Sequence, residues 1–179
     1  MEIRPVERGD AAAVRAVQEL AFGGPGEALL VERLQAAGAD PVSLVAVDEG
    51  RVVGHALFSP VELDGPYGPD APRLVGLGPI AVLPKRQGQG IGSRLIRAGL
   101  DDCRAQGFDA VVVLGDPAFY GRFGFVPASN FRIGNEYGAG ARFMALELRP
   151  GALAGAGGLA RYRHEFAELP AEPPPTLGT

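Results

Sequence analysis

The stretch Pro84-Lys85-Arg86-Gln87-Gly88-Gln89-Gly90-Ile91-Gly92-Ser93 is the part of the chain best suited to hold a charged ligand. It lies between an apolar, strand-like run and the first turn of an amphipathic helix. The opening N–H groups of a helix lack internal partners and the helix dipole adds partial positive charge, while glycines let an anion come close to the backbone. Lys85 and Arg86 supply further positive charge locally. A phosphate fits this arrangement; the plainer use of three glycines is a tight strand-to-helix turn. Elimination narrows the phosphate ligand. A Walker loop needs Gly-Lys-Ser/Thr, but Lys85 is the only lysine and precedes the glycines. A dinucleotide fingerprint needs Gly-x-Gly-x-x-Gly, and counted from Gly88 its last glycine is replaced by Ser93. A Rossmann-type oxidoreductase therefore stays only as a distant alternative.

The other side chains with chemical potential are scattered. Tyr120 is a phenol on a short helical segment, and Asp116 four residues earlier reads as the cap of that segment, followed by Pro117 at the first helical position. Glu27, Glu62 and His55 are titratable groups between glycine-rich turns. Two widely separated histidines, His55 and His164, with one cysteine make no metal motif, so no metal is expected. Cys103 falls on a buried helical stripe and reads as a core thiol.

The elements that must position these groups follow from periodicity. Asp10 is expected to cap a helix with Val14, Val17, Leu20 and Ala21 facing inward. Gly23 to Gly26 breaks it, and a second helix is expected from about Glu27 to Ala37, stopped by Gly38. Ser43 to Val47 and Val52 to Phe58 read as a hairpin turning at Asp48-Glu49-Gly50. A proline- and glycine-rich loop, Asp64 to Pro72, leads to a strand over about 74–83. From Gly92, the offsets of Leu95, Ile96, Gly99, Leu100 and Cys103 give one buried helix face. Gly99 sits in that face, where a missing side chain permits close approach to a sheet. Ala110 to Leu114 is a short β-branched run expected of a strand covered on both faces, so strand, helix and strand form a βαβ unit with parallel strands. Arg142 to Leu148 reads as a strand, and Pro173-Pro174-Pro175 as a loose tail.

The whole chain sets outer bounds. Its 179 residues suit one domain with a single sizeable core. One cysteine fits a reducing compartment, and a net charge of -4 argues against nucleic acid as a partner. No run reaches the ~20 apolar residues of a membrane span, and the amino terminus lacks a signal-peptide layout, so the expected location is the cytoplasm.

Gln87-Gly-Gln-Gly90-Ile-Gly92 resembles the Gln/Arg-x-x-Gly-x-Gly/Ala motif of the GNAT superfamily of N-acetyltransferases. Leu77-Gly-Pro-Ile-Ala-Val-Leu-Pro84 looks like that family's fourth strand, and Tyr120-Gly-Arg-Phe-Gly-Phe125 resembles its Tyr-x-x-x-Gly-Phe segment. The strings Leu114 to Pro127 and Phe143 to Leu148 look most like the predicted bacterial acetyltransferases of the YhbS-like group. The resemblance covers roughly residues 1–150, which would form the acetyltransferase domain; residues 151–179 would be an extension packing on, or trailing from, the same domain. It implies a mixed, mostly antiparallel α/β sheet with one splayed parallel strand pair, flanked by helices.

The resemblance also implies a site and a reaction. Acetyl-CoA would be the cofactor, its pyrophosphate held by backbone groups of Gln87, Gly88, Gln89, Gly90, Ile91 and Gly92, with the Ser93 hydroxyl and the charges of Lys85 and Arg86 nearby. Backbone groups of Ile80, Ala81 and Val82 would hold the pantetheine arm, and the Val82 N–H would polarise the thioester carbonyl. Tyr120 matches the tyrosine that protonates the leaving sulfur; its other reading is a packing aromatic. The strand over 74–83 carries no carboxylate, so a base that some relatives place there is absent. Glu27, beside the expected acceptor cleft, is the base candidate, with a favourable first-turn charge as its other role. His55, Glu62, a water relay or an amine arriving neutral are alternatives. The acceptor would be a small-molecule or peptide primary amine, attacking directly, and a homodimer is expected by analogy. A non-catalytic acyl-CoA-binding module stays open as the rival function.

Overall fold

The computed structural model describes residues 1–65, 67 and 71–168. Residues 66 and 68–70 of the expected loop and the whole of the expected proline tail lie outside the described residues. The strands are β1 (Glu2–Pro5), β2 (Val42–Asp48), β3 (Arg51–Asp64), β4 (Leu74–Val82), β5 (Ala110–Leu114), β6 (Val126–Pro127), β7 (Ile133–Asn135), β8 (Phe143–Glu147) and β9 (Gly158–Arg161). The α-helices are α1 (Ala11–Phe22), α2 (Gly26–Ala36), α3 (Ile91–Ala105) and α4 (Pro117–Tyr120).

The main sheet runs β1-β2-β3-β4-β5-β8-β6, and of its pairs only β4 with β5 is parallel. A doubly wound parallel sheet is thereby ruled out, and the dinucleotide reading goes with it. β2 and β3 join through Glu49 and Gly50, both at positive φ, as a two-residue hairpin with matching twist requires. β3 is longer than expected. It runs on through Ser59 and Pro60 because Val61 and Leu63 continue its inward alternation, and its last residues leave β4 to pair with β9, which in turn pairs in parallel with β7.

Each face of the sheet has its own cover. α3 lies on one face, packing Ile91, Leu95, Ile96, Leu100 and Cys103 on Ala56, Phe58, Val75, Val111 and Val113. The other face is covered in two parts. α1 and α2 place Val14, Leu30, Val31 and Leu34 against Val45 and Leu57, while chain beyond β6 places Ile133, Phe143, Leu153 and Ala160 near Val61, Leu74 and Val112. Alternate residues of β5 thus serve opposite cores, which explains its unbroken apolar run.

Two expectations for α1 need correction. Leu20 is 60% exposed, and the inward stripe is Val14, Val17 and Gln18, the i, i+3, i+4 set. A polar residue faces the sheet because His55 waits there to bond it. Asp10 does stand at the start of α1, but its carboxylate does not cap the helix. It binds the Arg4 guanidinium at 2.6 and 2.9 Å and accepts the Glu7 N–H at 2.8 Å.

Gly99 is where α3 and the sheet come closest. A Cβ built there would lie 2.2 Å from the Phe58 ring. Since Phe58 is fully buried and cannot swing away, Gly99→Ala should cost about 1–3 kcal/mol by overpacking, despite the better helix propensity of alanine. Chemical denaturation should show the loss, and pairing the change with Phe58→Leu should recover part of it.

Candidate active site

The glycine-rich turn forms the mouth of a cleft. After β4, a short 3-10 turn (Pro84–Arg86) leads to Gly88 and Gly90, at φ of 73° and 77°, a conformation that disfavours any residue with a Cβ. Gly90 precedes the first turn of α3. The N–H of Arg94 bonds the Gly90 carbonyl at 3.1 Å, while those of Ile91, Gly92 and Ser93 have no backbone acceptor. Three donors and the positive end of a 15-residue helix therefore face one place. The cleft there, about 350 Å³, is lined by the turn and by Val82, Ser93, Asp116, Phe119 and Arg122.

Its far wall is α4. Asp116 caps this helix as expected, accepting the Ala118 N–H at 3.0 Å. Arg122 lies over the Phe119 ring, 4.5 Å from its centroid, and is a cation at the cleft that sequence reasoning missed. Its only sequence signal is a place two residues after Tyr120. Of the expected cations, Arg86 lines the cleft but is paired with Asp48 at 2.7 Å and donates to Gln89 at 3.0 Å. Lys85 and Gln89 are exposed and stand outside the lining.

The inner boundary is a gap between strands. β4 pairs with β5 only from Leu74 to Gly76; beyond that point β5 bonds β8 alone, and β4 keeps β3 as partner through Val82 with a bulge around Gly78-Pro79. One backbone edge of Leu77–Val82 is thereby left without a strand. Ile80 and Ala81 are buried and stand outside the cleft lining, whereas Val82 reaches it. Gln87 braces the turn by donating to the Val82 carbonyl at 3.1 Å.

Tyr120 closes α4 one residue beyond Phe119. Its ring meets Phe119 and Phe125 edge-on at 5.0 and 5.8 Å and lies over Gly115, where a Cβ would stand 2.2 Å from it. It is 5% exposed, and burial pushes its pKa up to about 12. The phenol is consequently protonated at neutral pH. Glu27 is half-buried on the first turn of α2, on the other face of the sheet, with no ion pair to a described residue. Glu62 is exposed where β3 meets β9. Cys103 is a buried core thiol, and no described group of His, Cys, Asp and Glu could hold a metal.

His55 is committed to structure. It is fully buried, receives the Gln18 amide N–H on Nδ1 at 2.9 Å and donates from Nε2 to Ser43 Oγ at 3.1 Å.

A strand pair that parts beside a helix start with free N–H groups, in a sheet of this order, defines an acyl-CoA-type acetyltransferase fold. The acetyltransferase (GNAT) family profile matches residues 12–125, and the chain belongs to that family. It is 38% identical to the uncharacterized N-acetyltransferase YhbS of Escherichia coli over 159 residues, 88% of this chain and 93% of that one. The crystal structure of E. coli YhbS in complex with CoA superposes with a TM-score of 0.86 at 36% identity, covering 93% of this chain and 92% of that chain. A GNAT family acetyltransferase from Brucella melitensis, crystallised with acetyl-CoA, gives a TM-score of 0.75 at 38% identity, covering 92% and 97%. No described helix is long and apolar enough to cross a membrane.

Burial holds the His55 imidazole down to about 4, against 6.5 in an unfolded chain. The unfolded chain takes up this proton first, so stability is full above pH 6.5 and declines as pH falls toward 4. The fall in denaturation midpoint between pH 7.5 and 5.0 should shrink in His55→Gln, which keeps a polar side chain but cannot titrate.

Proposed function

We propose that this protein transfers the acetyl group of acetyl-CoA to a primary amine by direct attack. The observation that carries the reading is the open edge of β4 beside the unpartnered N–H groups of Ile91 to Ser93. A cofactor with a pyrophosphate and an amide-bearing arm needs both: donors for the phosphates and a strand edge for the amides. When bound, the thioester supplies an activated carbonyl. The residues do the rest.

The turn Gln87–Ser93 holds the pyrophosphate through its backbone, with the Ser93 hydroxyl beside it; Arg122 and Arg86 contribute charge. Backbone groups of Ile80 to Val82 hold the arm, and the Val82 N–H polarises the carbonyl. Tyr120 donates the proton that the departing sulfur requires, its phenol being protonated at neutral pH. Glu27, on the first turn of α2, stays the candidate carboxylate for the proton lost by the amine, with a water relay or an amine arriving neutral as the alternatives. The family's members crystallised with CoA and acetyl-CoA support the cofactor.

Gly92 gives the cleaner test of the cofactor site. It is helical, and a Cβ there would meet only Val82, at an ordinary 3.8 Å, whereas Gly90 would be strained by any side chain. Gly92→Val should therefore fold with the parental Tm yet lose CoA affinity at least tenfold by calorimetry. Unchanged affinity would move the phosphate elsewhere.

Tyr120→Phe keeps the ring and its packing. With acetyl-CoA saturating and an amine that turns over, kcat should fall by about 100- to 10,000-fold while CoA affinity stays within a few-fold. The acceptor comes from a thiol-release screen of amines, amino acids, polyamines and peptides. Tight CoA binding with no thiol release across that panel would instead identify a non-catalytic binding module.

A further inference from the structure

A second cavity, of about 370 Å³, shares no residue with the cofactor cleft. It lies at the end of the α1–α2 pair opposite their connecting turn. Ala11 is the first residue of α1, Gln35 stands in the last turn of α2, and Pro5 and Ser43 bring in β1 and β2. That volume is at the small end of ligand sites, so the polar groups around it decide what fits.

One hydrogen-bond chain ends in this cavity. Gln18 and His55 are fully buried, and the Gln18 amide nitrogen, which can only donate, meets His55 Nδ1 at 2.9 Å. The neutral ring then carries its hydrogen on Nε2 and gives it to Ser43 Oγ at 3.1 Å. Because that oxygen already accepts from His55, the Ser43 hydroxyl hydrogen has to be donated elsewhere, and no described residue takes it. Ser43 lines the cavity, so two buried groups fix a hydrogen-bond donor at its wall.

The charges around this donor are of both signs and have no partner among the described residues. Arg8 forms no ion pair, and Ala11 brings the positive end of a 12-residue helix to the same cavity. Asp10, the carboxylate at that helix start, is already held by Arg4 at 2.6 Å. Asp40 supplies the opposite charge. It is half-buried and also forms no ion pair, and loss of water raises its pKa, a penalty that a cation beside it would relieve. Glu7, exposed in the same lining, adds a second carboxylate.

We propose that this cavity binds a small zwitterion, a free α-amino acid with a short side chain. The ligand carboxylate takes Arg8, the Ser43 hydroxyl and the start of α1, and its ammonium takes Asp40 and Glu7. A monocarboxylate or an amine alone would satisfy one half of the lining and leave the other half unpaired. No bond is made or broken here, and the site is independent of the acetyltransferase reading. Through Ser43, His55 and Gln18 the bound molecule would be tied to β2, β3 and α1.

The experiment titrates the full chain, free of coenzyme A and at neutral pH, with alanine, propionate and alaninamide, by calorimetry and by backbone amide NMR shifts. Alanine carries both charges, propionate only the negative one and alaninamide only the positive one. Alanine should bind at least tenfold more tightly than either, with shifts centred on Ala11, Asp40 and Ser43. Arg8→Gln and Asp40→Asn should each weaken alanine at least fivefold while Tm and CoA affinity stay parental. Ser43→Ala should weaken it too, with a lower Tm because His55 loses its acceptor; the two charge variants decide the matter if that one fails to fold. No shift up to the solubility limit of alanine, equal binding of propionate or alaninamide, or parental alanine affinity in either charge variant overturns the proposal. Shifts confined to the cofactor cleft, with alanine consumed once acetyl-CoA is added, make alanine an acceptor instead; that outcome overturns this site and supports the transferase reading.

Discussion

Backbone hydrogen bonding along β4 is satisfied on one edge for the full strand and on the other for three residues only. The cleft, the parting of the strands and the start of α3 are arranged around that inequality. A buried strand edge without a partner is costly, so the fold has to keep it accessible to something that brings its own donors and acceptors. The bulge at Gly78-Pro79 shifts the β3–β4 register, β5 pairs with β8 along its whole length but with β4 only as far as Gly76, and α3 starts close by with its own free N–H groups. These are separate solutions to one bonding shortage, and together they leave an opening between strands that a long, amide-bearing molecule can fill.

Glycine is what makes the opening possible at close quarters, by two different means. At Gly88 and Gly90 the backbone needs a positive φ, so the absence of Cβ is a conformational requirement. At Gly76, Gly99 and Gly115 the backbone is ordinary and the space is already taken by Tyr162, Phe58 and Tyr120. Each of those three glycines is the seat of one aromatic ring. Two of the rings flank the point where β4 and β5 separate, and the third anchors α3 to the sheet that carries them.

What could be read from the sequence was the information that lies close along the chain. The glycine turn before α3, the buried stripe on α3, the cap at Asp116 and the two-sided strand β5 all depend on neighbours within a dozen residues, and periodicity and turn chemistry report such neighbours well. Gln18 was missed because its polarity argued for the surface; the reason for its burial is His55, 37 residues on, and nothing local reveals the pair. Tyr162 was hidden for the same reason at longer range, since its seat is Gly76. Arg86 illustrates the converse. Its charge was legible, but Asp48, which holds it, was known only as part of a hairpin turn. The base stayed undetermined because no carboxylate was tied to the cleft by spacing alone.

The last bonds of β3 reach a partner about a hundred residues away. Its first half zips against β2 across a two-residue turn, whereas Glu62 to Asp64 must wait for Leu159 to Arg161. Contacts of such different sequence separation form at different speeds, and a chain emerging from the ribosome offers the near ones first. The hairpin, the parallel strand pair and the glycine turn are therefore all available before β9 exists. The far end of β3 is therefore the part of the main sheet whose last pairing depends on the carboxyl-terminal chain.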